Sequence, residues 1–306
     1  MRERLVRQLL GGSIAIGLVT VVELTLGWTT VLTPWLQVSP IEFILPTLMV
    51  LGSYLLRSAR LMDWFSPIPA GAAIKIMLQH NLWNNLLPMR IGELSFPILL
   101  QRHLQIAPGQ SLVALAWFRI LDLTCLILIL ASTYAWLHGV PILILCFIIV
   151  ALAFLPVAHY LLTGILPKIA TRLPALLTEK LNPLVSAMQL ELSKLWRCLA
   201  WTFANWALKL VAFGYVFMMF AEVNLQTGII SAIGGELTSI LPIHGFAGAG
   251  TYEAGVVGLS LTTALDAETA LAAGVNLHLF LLSLTLLTGI GSQLLPPYLN
   301  DKVNPE

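Results

Sequence analysis

Seven ionisable side chains fall in stretches of sequence too apolar to solvate them. Arg90 and Glu93 lie three residues apart, as do Arg119 and Asp122, and Glu236, Glu253 and His278 follow in the C-terminal half. Residues three apart share one face of a helix, so each Arg can pair with its own carboxylate. Two guanidiniums steadied in this way form a forked donor set that matches a phosphate. Arg90 and Arg119 are therefore candidate anion ligands, with Glu93 and Asp122 holding them; a purely structural ion-pair network is the competing reading. A membrane carboxylate without a fixed cation can carry a proton. Glu236 and Glu253 are thus candidates for proton coupling, the alternative for Glu253 being a bond to exposed amides. His278 is either a further contact to the anion or a satisfied interior histidine.

These groups are conspicuous because charge is scarce. The chain has 306 residues, of which 58% are hydrophobic and 10% charged. Its mean hydropathy is +0.88. Soluble domains carry about 25% charged residues, so a soluble enzyme or nucleic-acid binder is excluded. A net charge of +1 gives no polyanion-binding signal. Cys125, Cys146 and Cys198 sit in or beside apolar runs and show no metal or disulfide spacing. No metal or other cofactor is expected, and no HExxH or comparable arrangement suggests an enzyme.

A membrane-crossing helix needs about 20 mostly apolar residues. Six runs qualify: 9–28, 41–56, 111–137, 141–162, 198–220 and 269–292. Arg2, Arg4 and Arg7 precede the first, Arg57 and Arg60 follow the second, and Lys168, Arg172, Lys180, Lys194 and Arg197 separate the fourth from the fifth. The opposite connections hold no Lys or Arg, which predicts six spans with both termini in the cytoplasm. The first run lacks a small-residue cleavage site and reads as an uncleaved span. Residues 164–196 read as a cytoplasmic amphipathic connector.

Two further apolar stretches, 71–104 and 228–265, are interrupted. The first breaks at Pro88 and Gly92, the second at Pro242, Gly245, Gly248 and Gly250. Each suits a re-entrant hairpin, since irregular backbone at membrane depth must be buried in protein or line a wet cavity. Each begins Leu-Pro, passes through glycine to a Glu (Glu93, Glu253), and precedes a span bearing a polar residue (Arg119, His278). Helix starts at Gly245–Thr251 would offer free N–H donors to an anion. Three spans separate the hairpins, so the second copy is inverted. The expected fold is an all-α polytopic membrane protein of about six transmembrane helices plus two re-entrant hairpins in an inverted 3+3 repeat. It forms a single membrane domain, 1–306, with halves 1–138 and 139–306. Inverted repeats with broken helices are a transporter pattern.

Leu87-Pro88-x-Arg90-x-Gly92-Glu93-Leu94, with Arg119-Ile-Leu-Asp122 after it, resembles the first signature of the lysylphosphatidylglycerol synthase membrane-domain family. Leu241-Pro242, the glycine run and Tyr252-Glu253-Ala254-Gly255 resemble its second. The resemblance covers about residues 10–295. Phe96 and His278 stand where the family often has Arg. The resemblance implies a flippase-like protein of the bacterial inner membrane that translocates a phospholipid, hopanoid or polyprenyl-linked lipid between leaflets, through a polar cavity between the two re-entrant hairpins. With no soluble aminoacyl-transfer domain in these 306 residues, no synthase activity is expected. The headgroup site implied comprises Arg90, Glu93, Arg119, Asp122, Glu253 and His278. Two alternatives stay open: an accessory subunit of a lipid-modifying or glycosyl-transfer enzyme, and a secondary transporter of a small anion. The expected partners are a lipid, with a second copy or a membrane enzyme left open, and no nucleic acid.

Overall fold

A computed structural model describes residues 13, 16–165, 168, 191–239 and 245–296, with the side chains of 88–90 and 162 outside the description. Most of the predicted connector 164–196, together with Pro242, lies outside the described residues. Everything else is helix, turn or irregular chain; no strand occurs among the described residues. The protein is an all-α polytopic membrane protein.

In chain order the helices are α1 (Ile16–Thr25), α2 (Trp28–Leu32), α3 (Pro34–Gln37), α4 (Ile44–Trp64), α5 (Ala70–Leu86), α6 (Ser95–Leu104), α7 (Pro108–Leu137), α8 (Ile142–Tyr160), α9 (Leu192–Ala221), α10 (Leu225–Thr238), α11 (Thr251–Ser260) and α12 (Ala267–Gly291). Five stretches are long and apolar enough to cross a membrane: Pro40–Trp64, Pro108–Leu137, Ile142–Ile165, Leu192–Ala221 and Ala267–Leu294. A sixth is reached if Ile16–Thr25 and Trp28–Gln37, bent by 93°, count as one span. The second span is longer than its apolar run implied: α4 continues to Trp64, so Arg57 and Arg60 belong to the helix.

Both interrupted stretches are helix, break, helix. The first is α5, a 3-10 turn over Pro88–Leu94, and α6; the second is α10, a 3-10 turn over Phe246–Gly248, and α11. Pro88 starts its turn because it has no N–H to donate and its φ is preset. Helix starts are capped as their residue types demand. Asn224 accepts the Thr227 N–H at 2.9 Å ahead of α10, and Asp266 accepts that of Thr269 at 2.9 Å ahead of α12.

Two compact units are present. The first comprises residues 1–54, 77–95 and 206–295, the second 55–76, 96–205 and 296–306. The first is centred on a cluster that includes Phe213, Phe217, Tyr252, Val256, Leu277 and Phe280. Trp35 and Phe43 pack against it and stack on each other, ring centroids 5.1 Å apart. Its helices touch through glycine. A Cβ at Gly228 would collide with the Gly214 carbonyl, and one at Gly255 with the Gly234 carbonyl. In lipid, helices gain little from burying apolar surface against one another, so small residues that bring backbones into contact supply the association energy. In the second unit, α8 is the lipid-facing element: only 11% of its apolar window is buried, and Ile142, Ile149, Val150 and Val157 are exposed.

Candidate functional site

Each unit holds a buried cluster of ionisable side chains among its helices. In the second unit the centre is Asp122 on α7, 2% exposed. Arg60 reaches it from α4: Nη1 donates to Asp122 Oδ1 at 2.7 Å and to Thr202 Oγ1 on α9 at 2.8 Å. The Arg60 guanidinium also lies over the Phe118 ring, 4.2 Å from its centroid, and Trp64 and Phe96 meet that ring edge-on. Arg119, one turn before Asp122, stands 3.8 Å from the other carboxylate oxygen and keeps 22% of its side chain exposed. A buried carboxylate in hydrocarbon needs a close cation and further hydrogen bonds to persist, and Arg60 supplies both.

This reorders the sequence reading. Arg119 and Asp122 were expected to hold each other; Asp122 is instead held chiefly by Arg60, and Arg119 is the looser neighbour. Arg60 was read as a loop cation because the apolar run ended at Leu56. The signal available was the apolar spacing of Leu61, Met62 and Trp64 beyond it, which continues the helix past two arginines.

In the first unit the centre is Glu253 on α11, 2% exposed. Its Oε1 lies 2.6 Å from His278 Nδ1 on α12, and its Oε2 accepts the Gly250 N–H at 2.7 Å. The bond to a hairpin amide is thus present, and a histidine holds the other carboxylate oxygen. Tyr252 stacks on His278 with ring centroids 4.4 Å apart, and its ring fills the space over Gly235. Glu236, on α10, is 2.9 Å from Lys209 Nζ on α9. Lys209 in turn lies 4.9 Å from the ring centroids of both Trp206 and Phe213. Tyr252 was not among the candidate residues, and neither was Lys209, the counter-ion of Glu236. Tyr252 directly precedes Glu253, and that adjacency on a short helix was the signal that pointed to it.

Four of the donors expected at Gly245–Thr251 are taken up within the turn. The Gly245 N–H donates to Thr251 Oγ1 at 3.3 Å, the Gly248 and Ala249 N–H groups to the carbonyls of Gly245 and Phe246, and the Gly250 N–H to Glu253. A hydroxyl and a carboxylate one turn into α11 cap this end from inside, which leaves those amides nothing to offer an anion.

The two break points come together. The turn at Pro88–Leu94 packs against Phe246–Gly248 in the first unit. Gly92 is required there because a Cβ would strike the Trp83 carbonyl. Glu93 is half-buried in the same turn, and Arg90 belongs to it by backbone position. Asn85 donates to Thr285 of α12 at 3.0 Å, and His80 is 2.9 Å from Ser95. Of the candidates, Arg119 and Asp122 therefore share one cluster, while Glu253, His278 and Glu236 gather in the other unit with the Gly92–Glu93 turn.

An apolar cavity of about 370 Å³ opens between α7 and α8 in the second unit, walled by Ile120, Leu123, Ile127, Phe147, Val150 and Phe154. Its α7 wall begins at the residue after Arg119.

The family model for the lysylphosphatidylglycerol synthase TM region matches residues 8–289. No curated protein and no solved structure matches the chain.

Proposed function

The chain belongs to the lysylphosphatidylglycerol synthase TM-region family, and on that premise we propose that it is a lipid translocase, moving a phospholipid, hopanoid or polyprenyl-linked lipid between the leaflets of a bacterial inner membrane. The observation that carries this reading is Arg119. It is a guanidinium on a spanning helix whose side chain keeps 22% of its surface exposed. Beside it the α7–α8 cleft is almost wholly apolar. Apolar cavities of this kind stay dry and accept hydrocarbon. A cation one residue before the first α7 residue of a hydrocarbon-lined cleft suits a molecule with an anionic head and an apolar tail.

The meeting of the two broken segments supports the same reading, since irregular backbone at membrane depth accompanies transport sites. No bond is made or broken in this process, and the reading assigns no enzymatic step. Arg119 engages the headgroup; Arg60 holds Asp122 and so fixes the helix face that presents Arg119.

The test is reconstitution in liposomes containing fluorescent headgroup- or chain-labelled lipids, with leaflet exposure followed by quenching from outside. Movement faster than in protein-free vesicles, reduced at least about tenfold by Arg119→Ala, is expected. Movement no faster than in empty vesicles for all three lipid classes, or full movement in the variant, refutes it. Stoichiometric co-purification with a membrane enzyme, combined with tolerance of Arg119→Ala, would point to the accessory-subunit alternative.

A further inference from the structure

We propose that His278 is a proton-binding site that couples lipid movement to a transmembrane proton gradient, with Glu253 as its counter-ion. The inference rests on the translocase reading for what is coupled, but not for the site itself.

The geometry is that of an oriented imidazole. Nδ1 lies 2.6 Å from Glu253 Oε1, so this side of the ring is engaged by the carboxylate. Nε2 makes no hydrogen bond among the described residues. It is therefore the nitrogen whose lone pair can take up a proton. Glu253 is itself fixed by the Gly250 N–H at 2.7 Å, so the carboxylate does not turn away when the ring changes state. The Tyr252 ring, stacked at 4.4 Å, gives the imidazolium an electron-rich face.

The ionisable groups around the ring are Glu253 from α11, Glu236 from α10 and Lys209 from α9, the last two paired at 2.9 Å. From α11 Tyr252 adds a buried phenol whose Oη has no hydrogen-bond partner among the described residues. Toward α1 and α2, Glu23 is exposed and occupied by the Trp28 N–H at 3.2 Å. On α12 itself, Asn276 is committed to Trp35 and to the Val31 carbonyl. From α5 the nearby groups are Asn85, bonded to Thr285, and His80, beside Ser95. Lys209 is already paired with Glu236, so Glu253 has the His278 imidazole as its close side-chain partner, and an ionisable pair buried at membrane depth is a place where a proton can be held and passed on.

The step balances simply. A proton from water adds to the Nε2 lone pair on one side of the cycle, giving an imidazolium paired with the Glu253 carboxylate. The same proton leaves Nε2 to water on the other side, restoring the neutral ring. No electron moves and no covalent bond other than N–H changes.

The experiment uses the full chain in liposomes of phosphatidylcholine and phosphatidylglycerol carrying fluorescent phosphatidylglycerol, with and without an imposed pH difference, for wild type and His278→Gln. In parallel, the purified protein labelled with ¹⁵N-histidine is titrated from pH 5 to 9; the His278 resonance is the one missing from His278→Gln. The expected result is a several-fold change in lipid movement with the gradient in wild type, none in the variant, and an imidazole that titrates. Glu253→Gln removes the carboxylate partner of that imidazole and should change its response to pH. Lipid movement that ignores the gradient in wild type overturns the proposal and leaves the translocase reading standing. If no lipid moves, the translocase reading fails for this lipid and the titration decides the site. An imidazole that keeps one state across the range, or that titrates unchanged in Glu253→Gln, overturns it.

Discussion

The two buried clusters solve the same problem with different chemistry. Around Asp122 the counter-ion is a guanidinium, permanently charged, bonded at once to a carboxylate and a hydroxyl and lying on an aromatic face. Around Glu253 the counter-ion is an imidazole, whose charge depends on a proton. The first is fixed by its composition and ties α4, α7 and α9 together. The second joins a carboxylate to a side-chain type whose charge is not permanent.

The largest expected effect comes from breaking the permanent cluster. Arg60→Ala leaves Asp122 buried without its closest cation and should cost about 3–5 kcal/mol, read by thermal or denaturant unfolding in detergent. Replacing Arg60 and Asp122 together by apolar residues should recover most of that loss. If the single change costs no more than the double, the cluster is not the anchor described. Next in size is the glycine contact in the other unit. Gly255→Val pushes a side chain into the Gly234 carbonyl and should cost roughly 1–3 kcal/mol by the same measurement. His278→Gln should be milder, about 1 kcal/mol or less, because an amide can still donate to Glu253. A loss as large as that of Arg60→Ala would erase the distinction between the clusters. Smallest is Arg197→Ala. Its ion pair with Asp63 at 3.1 Å has an Arg side chain 55% exposed, and no measurable change in unfolding is expected from a pair so open to solvent.

Much of this was legible in the residues. Scarce charge placed the chain in a membrane, apolar runs located the spans, and proline and glycine marked both breaks. The charged residues inside the spans were also visible, because nothing else in those stretches can carry charge. Partner choice was not legible. Local spacing suggested Arg119 for Asp122, yet the close partner is Arg60, 62 positions earlier, because a helix packed alongside brings its guanidinium nearer than the helix's own neighbour one turn away. The same holds for Lys209 and Glu236. Long-range pairing is set by helix packing, which hydropathy does not encode. The capping of the Gly245–Gly250 amides was hidden for a different reason. Thr251 and Glu253 each have several roles open to them, and only the folded turn selects one.

The glycine contacts carry a mechanical meaning. Backbones in direct contact fuse α9 to α10 at Gly214 and Gly228, and α10 to α11 at Gly234 and Gly255. Lys209, Glu236 and Glu253 ride on those three helices. At its own glycine, Gly274, α12 meets α11 through the methyl groups of Val256 rather than through backbone. His278 is thus the one ionisable member of this cluster whose helix joins its neighbour by side chain instead of by glycine backbone.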